Sequence, residues 1–431
     1  MTPRPRPLVV ALAVAASAAL LGDQMLYTVL PSQHAAAGIA AGALGVMLSV
    51  HRFIRLAANP LGGALYDRVG RRRPFLLGMT LAVVSTTGYA LATGFWTLLV
   101  ARLAWGIAWA LISVGGLTIV LDVTTTEDRG RTVGYFHGLV GLGTIVGLLA
   151  SGILTDLVGY RATLTIYAPL TAAGWLVAAI GVRETSSAGG GRATTSGTQA
   201  GPGVVRPAAG VRVVSAARVA ALTALVRAVD ARLLVLVLAS FVSFFANQGV
   251  LMATLGAYVK DAQAGHAAVG FLAIPAASLT GMLLGGRRGV TMLAAPVAGY
   301  VSDVTGDRRL VAAAGALASL LGFAALALAP PALGIPLGVA LCALGEGALG
   351  ASLSAWAGDL APERLRGVLM GWFATINDLG GATGPLVGYA LGTAFGFRSA
   401  YALALALLGV ALCALAVAAP PAAPRRRALA S

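Results

Sequence analysis

Apolar residues in this chain come in long runs, not at the alternating spacing of strands. Twelve runs lie near 8–31, 37–65, 75–93, 97–121, 132–155, 162–182, 233–258, 268–301, 310–329, 334–358, 367–394 and 399–419. Each is close to or above the roughly 20 residues that carry a helix across a hydrocarbon layer about 30 Å thick. Only helices and closed barrels satisfy backbone groups in lipid, and these runs are too long and unalternating for barrel strands. The pattern predicts an all-α integral membrane protein with twelve transmembrane helices. The first run resembles a signal peptide, but it continues past Asp23 without a convincing cleavage site and is read as a retained helix.

The rhythm breaks once, over 183–231. Ser186 to Pro207 is rich in Gly, Ser, Thr and Ala, the composition of a flexible linker. Residues 209–229 mix Val, Ala and Leu with Arg212, Arg218 and Arg227. Two readings stay open there: a basic helix lying on an anionic membrane surface, or a loosely ordered connector. The break divides the chain into a six-helix bundle at 1–182, a linker at 183–231, a second bundle at 232–420 and a basic tail at 421–431.

The two bundles repeat each other. Gly63-Ala64-Leu65-Tyr66-Asp67-Arg68-Val69-Gly70-Arg71-Arg72-Arg73 has a counterpart 236 positions on, at Gly299 to Arg309, with Asp303 in the place of Asp67. At the same offset Arg52 matches Arg288 and Pro60 matches Pro296. At an offset of 237, Arg129-Gly130 matches Arg366-Gly367, Gly147 matches Gly384, and Gly159-Tyr160-Arg161 matches Gly396-Phe397-Arg398. Asp23-Gln24 lies where Asn247-Gln248 lies in the second copy. A duplicated bundle offers a substrate site at the seam between its copies.

Composition agrees: 58% of residues are hydrophobic and 10% charged, against about 25% charged in a soluble domain. The net charge of +15 suggests nucleic acid until its distribution is read. With the N-terminus and the even-numbered loops on one side, that side holds 22 of the 30 basic residues. The opposite loops hold only Arg161, Lys260 and Arg398, and five more basic residues lie inside helices. This is the positive-inside bias of a multi-pass protein with both termini cytoplasmic, in a bacterial-type inner membrane. Nucleic acid is not an expected partner. Cys342 and Cys413 occupy different apolar helices and read as buried unpaired thiols.

The turn at Gly63–Arg73 resembles the signature Gly-x-Leu-Ala-Asp-Arg-x-Gly-Arg-Lys of the major facilitator superfamily, with Tyr66 and Arg72 as departures, and the likeness runs the length of the chain. The resemblance implies the superfamily fold, two pseudo-symmetric six-helix bundles, and secondary transport without ATP. It implies a latch built from Gly63, Asp67, Arg68, Gly70, Arg71 and Arg72, with Asp303 in the second copy. Asp67 then sits against the start of helix 11 near Gly367, where a helix N-terminus favours an anion. Arg102-Leu103-Ala104-Trp105-Gly106 is similar to the family's Arg-x-x-Gln-Gly pattern linked to proton coupling, with Trp105 for Gln. Arg102 also lies close to the outer boundary, so coupling and anchoring by snorkelling both stay open. Gly143 to Gly152 resembles the antiporter signature, with Leu148 for its Pro and Ser151 for a Gly; Gly380 to Gly388, with Pro385, is the fuller copy. That pattern implies export.

The remaining polar residues inside helices point to a central cavity. At 1.5 Å per residue, Arg52 and Arg288 lie roughly 22 Å from their charged turns, past the bilayer centre. Asp23, Glu346 and Asp378 are at similar depth. Helix 2 adds His51 and Arg55, and helix 8 adds Arg287. Five arginines then face three carboxylates, a surplus of two. Asp23 is expected to pair with Arg52 or Arg55, because helices 1 and 2 are neighbours. Proton-coupling candidates are Asp23, Asp378 and Glu346, with Arg102. Cavity candidates are Gln24, His51, Arg52, Arg55, Asn247, Gln248, Arg287, Arg288 and Asn377. His137 reads as solvated or hydrogen-bonded rather than a relay. The leading expectation is a monomeric, proton-coupled exporter of a small organic compound, with lipid, substrate and protons as partners. Anion exchange through paired arginines and lipid flipping are alternatives. No metal-ligand cluster, nucleotide loop or nucleophile triad is present in the sequence, so neither cofactor nor catalysis is expected.

Overall fold

The computed structural model describes residues 7–125, 127–185, 231–265, 270–361 and 366–418. Most of the linker, with its proposed surface helix, and the basic tail lie outside the described residues. Twelve long helical units are present among the described residues. The first six are α1 (Pro7–Gln33), α2 (Leu44–Val69), α3 (Arg72–Leu91), α4 (Phe95–Asp122), α5 (Arg129–Val158) and α6 (Tyr160–Gly181). α7 is continuous through Ala231–Phe244, a π-helical stretch Phe245–Leu251, and Met252–Gly265. The rest are α8 (Ala276–Thr305), α9 (Arg308–Leu328), α10 (Pro331–Leu360), α11 (Arg366–Phe395) and α12 (Phe397–Ala418). Ten of them are long and apolar enough to cross a membrane. The exceptions are α8, interrupted by Arg287-Arg288, and α11, diluted by glycines and Asn377-Asp378.

Two helices begin later than their apolar runs suggest. Before α2 stands a turn and a 3-10 segment, Ala41–Ala43; before α8 stands Gly270–Ala273 followed by Pro275 as the N-cap residue. Hydropathy does not register such starts, whereas proline fixes one by disfavouring helical backbone just before it. Cys342 is buried as expected, but Cys413 is exposed on the outer side of α12.

The halves pack alike. In the first, α1 contacts α5 and α6, α2 contacts α4, and α3 contacts α4 and α6. The second repeats every one of these: α7 with α11 and α12, α8 with α10, α9 with α10 and α12. Glycines at the matched turns, Gly70 and Gly306, have φ of 95° and 65°, backbone that a Cβ disfavours. Arg161 donates to the Ala92 carbonyl and Arg398 to the Ala329 carbonyl, 3.3 and 2.9 Å away. The glycine stripes serve the same joint in each copy. Gly143 and Gly147 lie against Ser17 and Gln24 of α1, and Gly380, Gly384 and Gly388 lie against α7.

Between the halves, α2 meets α11, α5 meets α8, and α1 meets α7. These contacts are close on the face away from the basic turns. A Cβ on Gly152 would stand 2.2 Å from the Ala277 carbonyl, one on Gly281 2.6 Å from that of Leu148, and one on Gly256 3.2 Å from Pro31. Lys260 donates to the Ser32 carbonyl at 2.6 Å, and the Asp156 carboxylate accepts the Ser278 N–H, at the start of α8, at 2.6 Å. Nearer the basic face, Gly63 of α2, Gly138 of α5, Gly299 of α8 and Gly371 of α11 have nothing within contact distance of a Cβ. The helices therefore interlock at one face and diverge toward the other.

Candidate functional site

The first half buries an arginine completely. Arg102 of α4 is 0% exposed and pairs with Asp23 of α1 at 2.6 Å. Its Nη2 lies 2.7 Å from His51 Nδ1, and its Nε donates to the Met47 carbonyl at 2.9 Å. The Tyr27 and Tyr89 rings stand 5.7 and 5.9 Å from its guanidinium. A charge removed from water is tolerable only when paired and hydrogen-bonded, and Arg102 has both. This corrects two expectations. Arg102 does not snorkel, and Asp23 pairs with Arg102 rather than with Arg52 or Arg55. Residue depth can be counted from the chain, but rotation about the helix axis cannot; that rotation presents Asp23 to α4.

At the seam, Arg55 of α2 reaches Asp378 of α11 at 3.3 Å. Both side chains keep partial exposure, 17% and 21%. Arg52, one turn earlier, donates from Nε to the Tyr27 hydroxyl at 3.1 Å. Its Nη1 lies against α11 at Gly381, where a Cβ would come within 2.5 Å. In the second half, Arg287 pairs with Glu346 of α10 at 2.6 Å and donates to the Asn247 carbonyl at 2.9 Å. Gln248 also donates to Glu346. Asn247 and Gln248 sit in the π-helical stretch of α7, which the sequence does not announce; π-bulges often mark functional positions.

A cavity of ≈ 260 Å³ lies between these networks. Its wall includes Asp23, Gln24, His51, Arg52, Arg55, Gln248, Arg287 and Arg288, all expected from sequence, with residues of both halves. A second space of ≈ 270 Å³ within the second half is lined by Glu346, Ser243 and Thr291, and shares Gln248 and Arg288 with the first. Asn247 and Asn377 are buried beside the site rather than on the main wall, each with an unpartnered Oδ1. The sequence reading missed Tyr27, which bonds the Leu48 carbonyl and Arg52, and the stacked pair Trp105–Trp109, whose rings are 5.8 Å apart. An aromatic residue four positions after Asp23 was the available signal for Tyr27. His137 is on the cavity wall.

The charged turns form a different contact from the expected one. Asp67 is 60% exposed and bonds Arg71 at 3.5 Å, with no contact to α11 among the described residues. Arg71 also binds Asp122 at the end of α4, at 2.9 Å. In the second copy Arg308 binds Asp303 and Asp359 at the end of α10. Burial opposes the Arg71 charge, but Asp122 and Asp67 outweigh it and hold its pKa above the usual arginine value. Glu184 accepts the backbone N–H groups of Arg71 and Arg72, while Arg68 is exposed. Asp122 and Asp359, 237 apart, extend the repeat by a pair the sequence reading overlooked. A latch against α11 requires the basic ends of α2 and α11 to approach; here Gly63 and Gly371 of those helices have nothing within contact distance of a Cβ.

Comparison with known proteins agrees with this geometry. The family model described as Major Facilitator Superfamily matches residues 12–290 and 280–431. Among curated relatives, a probable vesicular acetylcholine transporter-B of Danio rerio is 31% identical over 126 residues, 29% of this chain and 26% of that protein. The class C tetracycline resistance protein of Escherichia coli is 32% identical over 129 residues, 30% of this chain and 31% of that one. The matched segments thus span only about a quarter to a third of those relatives. Among solved structures, a bacterial homologue of the human lysosomal transporter Spinster, inward-facing and unoccupied, aligns with TM-score 0.72 at 15% identity, covering 98% of this chain and all of that one. A nucleoside transporter aligns with TM-score 0.74 at 14% identity over 96% of this chain and 100% of its own. With the family model matched from residue 12 to residue 431 and a duplicated twelve-helix bundle around a polar cavity, the chain belongs to the Major Facilitator Superfamily, as a multi-pass membrane protein.

Proposed function

We propose that this protein is a proton-coupled secondary transporter of a small organic compound, working by alternating access, with Asp378 as its proton carrier. The observation that carries the reading is the Arg55–Asp378 pair, whose members belong to different halves. Rocking one half against the other must make and break that contact. A carboxylate beside an arginine releases its proton more readily than one left alone in an apolar site. Conformation and protonation are then linked, each biasing the other. The Asp23–Arg102 and Glu346–Arg287 pairs each lie within one half and can travel as rigid units, so they serve the fold and the cavity wall.

The excess of basic residues assigns the basic face to the cytoplasm, so the present conformation is open inward. The direction of net transport follows from the sign of coupling. Export, which the glycine pattern implies, needs proton and substrate to exclude one another; uptake needs them to bind together. The test is flux in proteoliposomes under an imposed pH gradient. Asp378→Asn is expected to abolish gradient-driven flux while retaining gradient-independent exchange of labelled substrate. Proton-driven flux at wild-type rate in that variant overturns the assignment.

A further inference from the structure

We propose that the cavity binds the anionic group of a small organic compound, with Arg288 and Arg52 as its counter-ions. Of the five arginines inside the helices, three are neutralised: Arg102 by Asp23, Arg55 by Asp378 and Arg287 by Glu346. Arg52 and Arg288 have no carboxylate within ion-pair distance among the described residues, and both are on the cavity wall. Arg52 is only 9% exposed, and its one hydrogen bond among the described residues engages Nε, which leaves its terminal nitrogens to the cavity and to the space that Gly381 keeps clear. Arg288 makes no hydrogen bond or ion pair with any described residue, and its Nε is buried and unpartnered. It also stands where the two cavities meet, so that a ligand in either can reach it.

Two guanidinium groups without an ion-pair partner in a membrane interior are costly, and an oxyanion satisfies them best because its oxygens match the guanidinium fork. Beside polar groups such as Gln24, Thr144 and Gln248, the wall also carries apolar and aromatic surface. Trp109 stacks on Trp105 at 26° between planes, and Leu148, Met252 and Leu284 line the same cavity. The ligand class is therefore an organic anion with a ring-sized apolar body. An amine, by contrast, adds a third uncompensated positive charge.

The sign of the proton coupling follows, and this part rests on the Asp378 reading. A proton on Asp378 frees Arg55 and raises the positive charge of the site, so anion affinity increases as pH falls. By reciprocity the bound anion favours the protonated carboxyl. Anion and proton load together and move in one direction, which is symport.

The experiment uses the full chain in lipid nanodiscs without a gradient, with tryptophan quenching as the readout and three matched probes: benzoate, benzyl alcohol and benzylamine. Benzoate is expected to bind roughly tenfold or more tighter than the other two. Arg288→Gln is expected to erase the margin of benzoate over benzyl alcohol, and Arg288→Lys to keep part of it. Absence of benzoate binding, benzylamine binding as tightly as benzoate, or an unchanged margin in Arg288→Gln each overturns the anion site. Benzoate affinity should rise on acidification in the wild type, and most of that rise should be lost in Asp378→Asn, which leaves Asp23, His51 and His137 of the same wall in place; an undiminished rise in that variant removes the coupling. A wild type that keeps the margin but shows no pH dependence removes the coupling and leaves the anion site standing.

Discussion

Asp23 and Asp378 are both carboxylates held by arginines inside helices, yet their surroundings give them opposite characters. Asp23 faces a fully buried Arg102 that has no access to water, so its loss strands a charge. Asp23→Leu is expected to cost about 3–5 kcal/mol, read as a large fall in melting temperature, and Asp23→Leu with Arg102→Met to restore most of it. Arg55 keeps contact with the cavity when Asp378 is neutralised, so Asp378→Asn is expected to cost about 0–1 kcal/mol and leave the melting temperature nearly unchanged. Equal destabilisation by the two substitutions contradicts the distinction between a static and a seam pair. At this scale the sequence named nearly every participant but gave Asp23 the wrong partner and left the other pairs unassigned. Charge content and depth are one-dimensional properties, whereas a pair requires two helix rotations to agree.

At the scale of elements, closure of the outer face rests on small residues, the Lys260–Ser32 hydrogen bond and one cap. Asp156, at the end of α5, places its carboxylate on the Ser278 N–H, where α8 begins with unpaired donors and a positive dipole end. Asp156→Asn is expected to weaken that closure by about 1 kcal/mol, shifting the population toward the outward-open form. Spin labels on the exposed Val158 of α5 and Phe395 of α11 report it as a longer mean distance; an unaltered distribution contradicts the role of the cap. Gly281→Leu, which drives a side chain into the Leu148 carbonyl, is expected to lengthen it further. The long helices were legible because lipid demands unbroken apolar runs. The π-helical stretch of α7 and the delayed starts of α2 and α8 were not, because they change backbone geometry without changing hydropathy.

For the whole molecule, alternating access demands that the interlocked face open when the divergent face closes. Gly256 of α7 and Pro31 of α1 belong to different halves, and a Cβ on Gly256 falls 3.2 Å from Pro31, close to the span of a disulfide. With Cys413→Ser removing the exposed thiol, Pro31→Cys and Gly256→Cys are expected to cross-link under oxidation and to stop transport, with recovery on reduction. Undiminished flux through the cross-linked protein contradicts rocking of the halves. On the basic face Asp67 bonds Arg71, with no ion pair to α11 among the described residues.

By itself the sequence determined the membrane class, the twelve helices, the duplication, and an excess of buried positive charge. Each of these follows from composition and period along one dimension, which lipid and the repeated copy read directly. Tertiary structure alone decided which arginine neutralises which carboxylate, and so left Arg52 and Arg288 without an ion pair among the described residues. It also decided which face is shut, because both outcomes depend on how helices rotate and tilt against neighbours hundreds of residues away.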